Sequence, residues 1–218
     1  MARVSLARIA RHEDFFRAHY LHAREEGLAR ALPHAKRRVD FVAGRVAAKR
    51  AFEAAGCVLP SMGKDEGRPL WVDDDGTPRT DAGTLSISHG EKWAVAACAP
   101  SGVVGIDVET IEPRAASFLE EVFAPGELER VARAIGREAT DAIVVTSAWC
   151  LKEALLKIAG TGLRVPFPAM VPRELDLPYT SAPGEPFCWG HVRTDELGPC
   201  SLAIELAAHR VLALAWRP

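Results

Sequence analysis

Residues 84–109, TLSISHGEKWAVAACAPSGVVGIDVE, contain three short apolar runs at 84–88, 93–99 and 103–109. Turn-forming residues separate them: His89-Gly90 with Glu91-Lys92, then Pro100-Ser101-Gly102. Runs of this length between such turns predict an antiparallel meander. Downstream the hydrophobic period lengthens, and helices are predicted over 115–123, 126–136 and 141–159. Upstream, 12–30 reads as a polar helix. Residues 34–55 read as a stronger one, with Val39, Val42 and Val46 on one face and Gly56 at the C-cap position. Residues 57–83 are rich in Gly, Pro and Asp, a long connection of the kind that often carries function. Strand-like runs return at 186–194, 200–207 and 210–216. Segregated helices with mostly antiparallel strands make the fold class α+β. A domain boundary falls near 100–110, with no linker composition to mark it.

The end of the quoted stretch carries the first chemistry. In a strand, residues two apart share a face, so Asp107 and Glu109 present carboxylates side by side while Ile106 and Val108 face the core. Their Cα atoms lie about 6–7 Å apart. Two carboxylates facing one space suit a hard divalent cation that completes its shell with water and substrate phosphates. The same alternation also describes a half-exposed strand with an acidic outer face.

The helix at 141–159 holds the second signal, Trp149-Cys150-Leu151-Lys152-Glu153-Ala154-Leu155-Leu156-Lys157. Trp149, Glu153 and Lys157 recur at every fourth residue and form one stripe. Glu153 and Lys157 sit about 6 Å apart along the axis. A Glu–Lys pair at this spacing equally describes a solvated face worth a few tenths of a kcal/mol. The indole on the same stripe argues for a packed face, where buried charges need partners.

Other features are weaker singly. Ser86-Ile87-Ser88-His89-Gly90 ends a predicted strand with hydroxyl and imidazole groups able to bond a phosphate, or simply makes a polar turn. No Gly-x-Ser-x-Gly elbow is present, which disfavours a serine hydrolase. The helix at 34–55 places His34, Arg38, Arg45 and Lys49 on one stripe, suited to phosphate or to solvent. No aromatic residues interleave with them, which lowers the case for nucleic acid. Asp73-Asp74-Asp75-Gly76 resembles the start of a calcium loop, but the twelfth position is Thr84 rather than Glu.

Composition sets the outer limits. The 218 residues are 48% hydrophobic, enough for a sizeable core, and the net charge of −2 provides no global field for nucleic acid or an anionic membrane. Five cysteines with no CxxC pair fit a reducing compartment better than a disulfide framework or zinc site. The first residues show no signal peptide, and no apolar run approaches the ~20 residues of a membrane helix. A cytoplasmic location is expected.

Taken in order, these motifs resemble the surfactin-synthetase-activating class of 4′-phosphopantetheinyl transferases, nearest its siderophore-synthase (enterobactin synthase component D-like) branch. The resemblance rests on Ala43-Gly44-Arg45, Gly67-Arg68-Pro69, Ser86-Ile87-Ser88-His89, Gly105-Ile106-Asp107-Val108-Glu109 and the Trp149–Lys157 helix, across residues 36–163. Beyond residue 165 nothing is recognised. Cys150 stands where the family more often has Ser, Thr or Ala, at a position that is not a ligand.

The resemblance implies a pseudo-dimer of two similar α+β halves, 1–104 and 105–218, with coenzyme A in the cleft. It implies that Asp107, Glu109 and Glu153 hold Mg²⁺ (or Mn²⁺) against the pyrophosphate. Arg45 and His89 would grip the ribose 3′-phosphate, Ser88 and Lys157 the pyrophosphate, and Arg68 would lie against the adenine. Asp107, Glu153 and Lys157 are the candidate catalytic residues, with Glu153 as general base. The expected protein partner is an acyl or peptidyl carrier protein, met by residues 110–140. Phe118, Phe123 and Leu128 supply an apolar groove there, or ordinary core packing. The expected state is a monomer without nucleic acid. The alternatives are a metal-dependent nucleotide pyrophosphatase and a non-catalytic coenzyme A or nucleic-acid binding module.

Overall fold

The structure is a computed structural model that describes residues 1–56, 70–73, 77–160, 166–180 and 187–218, leaving aside the side chains of 179 and 180. The chain divides into two compact units, Met1–Val104 and Gly105–Pro218.

In the first unit, β4 (Thr84–His89) pairs antiparallel with β5 (Trp93–Ala99), and β5 also pairs with β1 (Ala2–Ser5), giving the order β1-β5-β4. The expected meander therefore stops after two strands. The third run, β6 (Val103–Thr110), leaves for the second sheet, and the other edge of β5 is taken by the N-terminus. A tight turn makes sequence neighbours available for pairing, but a distant strand with a matching apolar face can take the edge. Helix α4 (Ala35–Ala54) covers this sheet, with Val42, Val46, Ala47, Ala51 and Phe52 fully buried. A short hairpin of β2 (Trp71–Val72) and β3 (Pro78–Arg79) precedes β4. Asp73 there accepts from Thr77 N at 2.9 Å and from Arg79 Nε at 2.5 Å, so the first carboxylate of the acidic run is bonded within its own hairpin, while 74–76 lie outside the described residues.

Three short helices pack near α4: α1 (Leu6–Arg11), α2 (Glu13–Tyr20) and α3 (Ala23–Ala31). The single helix expected over 12–30 breaks at Leu21 and His22, both extended. His22 starts α3 with a capping box in which Glu25 Oε2 accepts from His22 N at 2.8 Å. Satisfying the exposed donors of a new helix start stabilises such a break.

The second unit has the sheet order β6-β10-β9-β8-β7, with β7 (Glu174–Thr180), β8 (Phe187–Thr194), β9 (Gly198–Ala207) and β10 (Arg210–Arg217). The pairs β7–β8, β8–β9 and β9–β10 are antiparallel. Strand β7 was not anticipated. A proline and a register shift between Asp176 and Tyr179 interrupt its alternation. Helix α7 (Ala142–Ala159) lies on this sheet. Helices α5 (Ala116–Val122) and α6 (Glu127–Ile135) share with α7 a core of Val122, Phe123, Val131, Val144 and Ala148.

Charge pairs join α2 to α3. Glu26 accepts from Arg17 Nη2 at 2.6 Å and Nε at 3.0 Å, and from Arg30 Nε at 2.8 Å. The Arg17 hydrogen bond, reinforced by Arg30, holds the Glu26 carboxyl below its usual range against the opposing effect of burial. A lowered folded-state pKa contributes stability that is complete above the unfolded value, about 4.3 for Glu, and is lost as pH falls through the folded value. Glu26→Gln should therefore cost about 1 kcal/mol near neutral pH. Denaturant unfolding of both proteins should show that difference closing on acidification below the ordinary Glu range.

Candidate functional site

Strand β6 meets α7 where Gly105 passes Ala154. A Cβ on Gly105 would lie 1.9 Å from the Ala154 carbonyl oxygen and 3.1 Å from Ile158 Cγ1. Only glycine fits a backbone approach this close. The strand alternates as expected, with Ile106 and Val108 buried, but its acidic face is only partly solvated: Asp107 is 4% exposed and Glu109 half-buried.

Helix α7 is fixed at both ends. Asp141 Oδ1 accepts from Ile143 N at 2.8 Å, and Gly160 closes the C-terminus in the left-handed region at φ 65°. Its stripe meets β6 through specific bonds. Lys157 Nζ donates to Asp107 Oδ1 at 2.8 Å and to Ile106 O at 2.9 Å. Trp149 Nε1 donates to Glu109 Oε1 at 3.0 Å, and Arg114 Nη2 reaches Glu109 Oε2 at 3.3 Å. Burial pushes the Glu153 carboxyl up; Lys157 opposes this, and the charges of Asp107 and Glu109 add to it. Glu109 is likewise raised by burial and then by Asp107, against the Trp149 hydrogen bond and the charges of Arg114 and Lys157. The two sequence motifs therefore meet in one group of charges, with Asp107 buried and Glu109, Glu153 and Lys157 half-buried.

Among the described residues, no three His, Cys, Asp or Glu side chains stand as a preformed metal cage. Asp107 and Glu109 are instead held by Lys157, Trp149 and Arg114. The donor chemistry still fits a magnesium-class ion. All the candidate donors are oxygens, and burial, with the charge of neighbouring carboxylates adding to it, raises both Glu109 and Glu153, so a bound cation would relieve both. Such an ion takes few protein ligands and keeps water and substrate phosphates.

In the first unit, Arg45 is 4% exposed, its Nε 3.5 Å from Glu25 Oε1, with its guanidinium 4.6 Å from the Phe41 ring centroid. Among the described residues its Nη2 has no hydrogen-bond partner. Burial lowers its pKa, opposed by the charge of Glu25. A buried guanidinium with an unmet donor is suited to a bound anion. His89 Nε2 donates to Asp40 O at 2.7 Å. It sits against Gly44, where a Cβ would meet Nε2 at 2.8 Å, so Gly44-Arg45 serves both residues. Ser88 is buried and, one residue away on β4, points to the face opposite His89. Arg68 lies outside the described residues.

Four of the remaining basic residues of α4 have partners in this unit, with Lys36 exposed and Arg38, Lys49 and Arg50 half-buried. Lys49 Nζ stands 2.5 Å from Glu25 Oε2, Arg38 Nε 2.5 Å from Glu13 Oε1, Lys36 pairs with Asp40 at 3.1 Å, and Arg50 bonds the Tyr20 hydroxyl. Glu25, missed in the sequence, is fully buried and also accepts from Leu70 N at 3.2 Å. Its only sequence signal is a glutamate three residues after a possible N-cap.

Residues 103–189 match the model of the 4′-phosphopantetheinyl transferase superfamily, and residues 23–99 match that of the 4′-phosphopantetheinyl transferase N-terminal domain. The chain belongs to the 4′-phosphopantetheinyl transferase superfamily. A 4′-phosphopantetheinyl transferase of Bacillus subtilis is 31% identical over 92 residues, which is 42% of this chain. The chain spans 40% of the length of that curated relative. A solved holo-(acyl-carrier-protein) synthase from Bacillus anthracis str. Ames, in complex with CoA (3′,5′-ADP), is 34% identical over 43% of this chain and 86% of that one, with a TM-score of 0.37. The superfamily match contains Asp107, Glu109, Glu153 and Lys157; the N-terminal match contains Glu25, Arg45, Ser88 and His89.

Gly105→Ala should separate β6 from α7. Overpacking against backbone costs about 1–3 kcal/mol or more. Thermal unfolding should show that loss, and Trp149 fluorescence should change as its bond to Glu109 lengthens. Wild-type stability and emission in the variant would contradict the close approach.

Proposed function

We propose that the chain is a magnesium-dependent 4′-phosphopantetheinyl transferase that moves the phosphopantetheine arm of coenzyme A to a serine of an acyl or peptidyl carrier protein. The observation that carries this reading is the group formed by Asp107, Glu109, Glu153 and Lys157 where β6 touches α7. Within the family we place it in the surfactin-synthetase-activating class, siderophore-synthase branch, on the order of its motifs. It acts in the cytoplasm, a reducing compartment in which thiols such as those of Cys150, Cys188 and Cys200 persist. No helix among the described residues is long and apolar enough to cross a membrane.

Asp107, Glu109 and Glu153 are the residues to hold Mg²⁺, which when bound supplies charge neutralisation on a pyrophosphate. The unmet Arg45 Nη2 donates to the ribose 3′-phosphate, with His89 beside it; Ser88 and Lys157 donate to the pyrophosphate. Glu153 takes the proton from the carrier serine. Burial raises its pKa toward neutrality, the direction a general base needs. The serine oxygen bonds to the β-phosphorus, the bond from that phosphorus to the bridging oxygen breaks, and 3′,5′-ADP leaves with that oxygen. Catalysis then rests on alignment and electrostatics rather than on a protein nucleophile.

The groove beside this group suits the acceptor. It has a volume of about 520 Å³ and is lined by Leu119, Phe123, Leu128 and Val145, with Arg114 and Glu129 among its polar residues. Phe118 packs edge-on to Trp149 at 5.3 Å, linking the groove's core to the indole that holds Glu109. An apolar helix face on the carrier would fill it.

Incubation with coenzyme A, Mg²⁺ and an apo carrier should add one phosphopantetheine to the carrier's intact mass, and EDTA should abolish the gain. Asp107→Ala should reduce turnover by at least about a hundredfold, as loss of a charge-positioning group does. Coenzyme A hydrolysis without carrier modification would point to a pyrophosphatase instead. Arg45→Ala should raise KM for coenzyme A by about tenfold or more, the worth of one charge-assisted bond, while KM for dephospho-coenzyme A stays near the wild-type value. Equal effects on the two substrates would remove the 3′-phosphate contact.

A further inference from the structure

Lys152 is the helix residue next to Glu153, rotated by about 100° around α7. It is fully buried, and so is its partner Glu127. Lys152 Nζ donates to Glu127 Oε2 at 2.9 Å, to Val122 O at 3.1 Å and to Phe167 O at 2.9 Å. These acceptors lie at the start of α6, the end of α5 and the turn Phe167–Ala169. The three donors of an ammonium are thus spent on three separate segments. Glu127 Oε2 also accepts from Ala124 N at 2.9 Å, and the Phe123 ring centroid lies 5.5 Å from Nζ. Phe123, Ala124, Pro125 and Gly126 form one wall of the 520 Å³ groove.

Stability does not account for this arrangement. Taking both charges out of water costs several kcal/mol per ion, and apolar residues of equal volume often serve as well or better. Burial acts on both partners in the direction of neutrality, raising Glu127 and lowering Lys152, with their mutual hydrogen bond opposing it. What an apolar pair cannot supply is directed bonds to Val122 O, Phe167 O and Ala124 N.

We propose that Lys152, acting through Glu127, is a positioning residue for the acceptor protein, fixing the groove wall to the helix that carries Glu153 and Lys157. It touches neither substrate. The inference rests on the transferase reading, in which the groove takes the carrier. Its signature is a selective loss: the carrier is held less well, and coenzyme A is held as before.

Two variants test it: Glu127→Gln, and the double variant Lys152→Met with Glu127→Leu, which keeps the interior filled if the single change fails to fold. Circular dichroism checks the fold. Calorimetry with coenzyme A and fluorescence anisotropy with a labelled apo peptidyl carrier domain then give the two affinities, alongside KM and kcat for transfer. A folded variant should bind coenzyme A as the wild type does, while carrier affinity falls and carrier KM rises about tenfold, as misplacement of a binding wall predicts. Unchanged carrier affinity, or an equal loss for both ligands, overturns the proposal. If the wild type binds coenzyme A but neither binds nor modifies the carrier, the transferase reading fails and this inference with it. Wild-type transfer without the selective loss removes this inference alone.

Discussion

At Gly105 the backbone of β6 comes so close to α7 that a methyl group would overlap the Ala154 carbonyl. The rest of the candidate site is dimensioned from this contact. The strand runs opposite to the helix, so Ile106 and Asp107 meet Lys157 near the helix C-terminus, and Glu109 meets Trp149 two turns earlier. Glu153, between them on the stripe, feels both carboxylates. A strand and a helix at ordinary packing distance, about 10 Å between their axes, would leave these side chains reaching across water. At glycine distance they share one partly desolvated volume, in which each charge acts strongly on the next.

The first unit solves a different problem. A guanidinium that is to grip an anion strongly must be shielded from water, yet a lone buried charge is costly. Glu25 resolves this by standing between Arg45 and Lys49 and offsetting one of their two charges, with its own position fixed by the His22 and Leu70 amides. The ion pair engages Arg45 through Nε and leaves Nη2 with an unmet donor among the described residues. The break between α2 and α3 belongs to the same arrangement. The capping box that starts α3 places Glu25 where α4 needs a counter-charge.

How much of this was legible in the sequence depends on the range over which each feature is determined. Helices α4 and α7 were readable because period, caps and length agree locally. So were β4, β5 and the alternation of β6. The partner of β6 was not, because edge choice is settled by β1 and β10, far away in sequence. The carboxylates and Lys157 could be nominated from spacing. Their union could not, since Gly105 reads as one glycine among 17 until the opposing carbonyl is known. Glu25 and Glu127 were invisible for a further reason. Glu25 lies within the polar stretch that reads as one helix and Glu127 at an ordinary polar helix start, and only tertiary packing shows them fully buried. A buried carboxylate and a solvated one have the same local sequence.

The shared carboxylate chemistry does not by itself separate a transferase from a hydrolase, since both must neutralise a pyrophosphate and activate an oxygen. The difference lies in what delivers that oxygen. Water needs access and no recognition surface. A protein serine needs a surface that aligns its helix with the base and remains coupled to the catalytic group. On the proposed reading, the groove walled by Phe123 and Leu128 is that surface, and Lys152 ties its wall to α7. Trp149 makes the same point from the other side. It packs between Phe118 and Phe167 while donating to Glu109, so one side chain reports to both the apolar core beside the groove and the carboxylates. With the carrier seated in the groove, as proposed, a wall that shifted by an ångström would move the acceptor and the carboxylate together, a coupling suited to an enzyme whose second substrate is a folded protein.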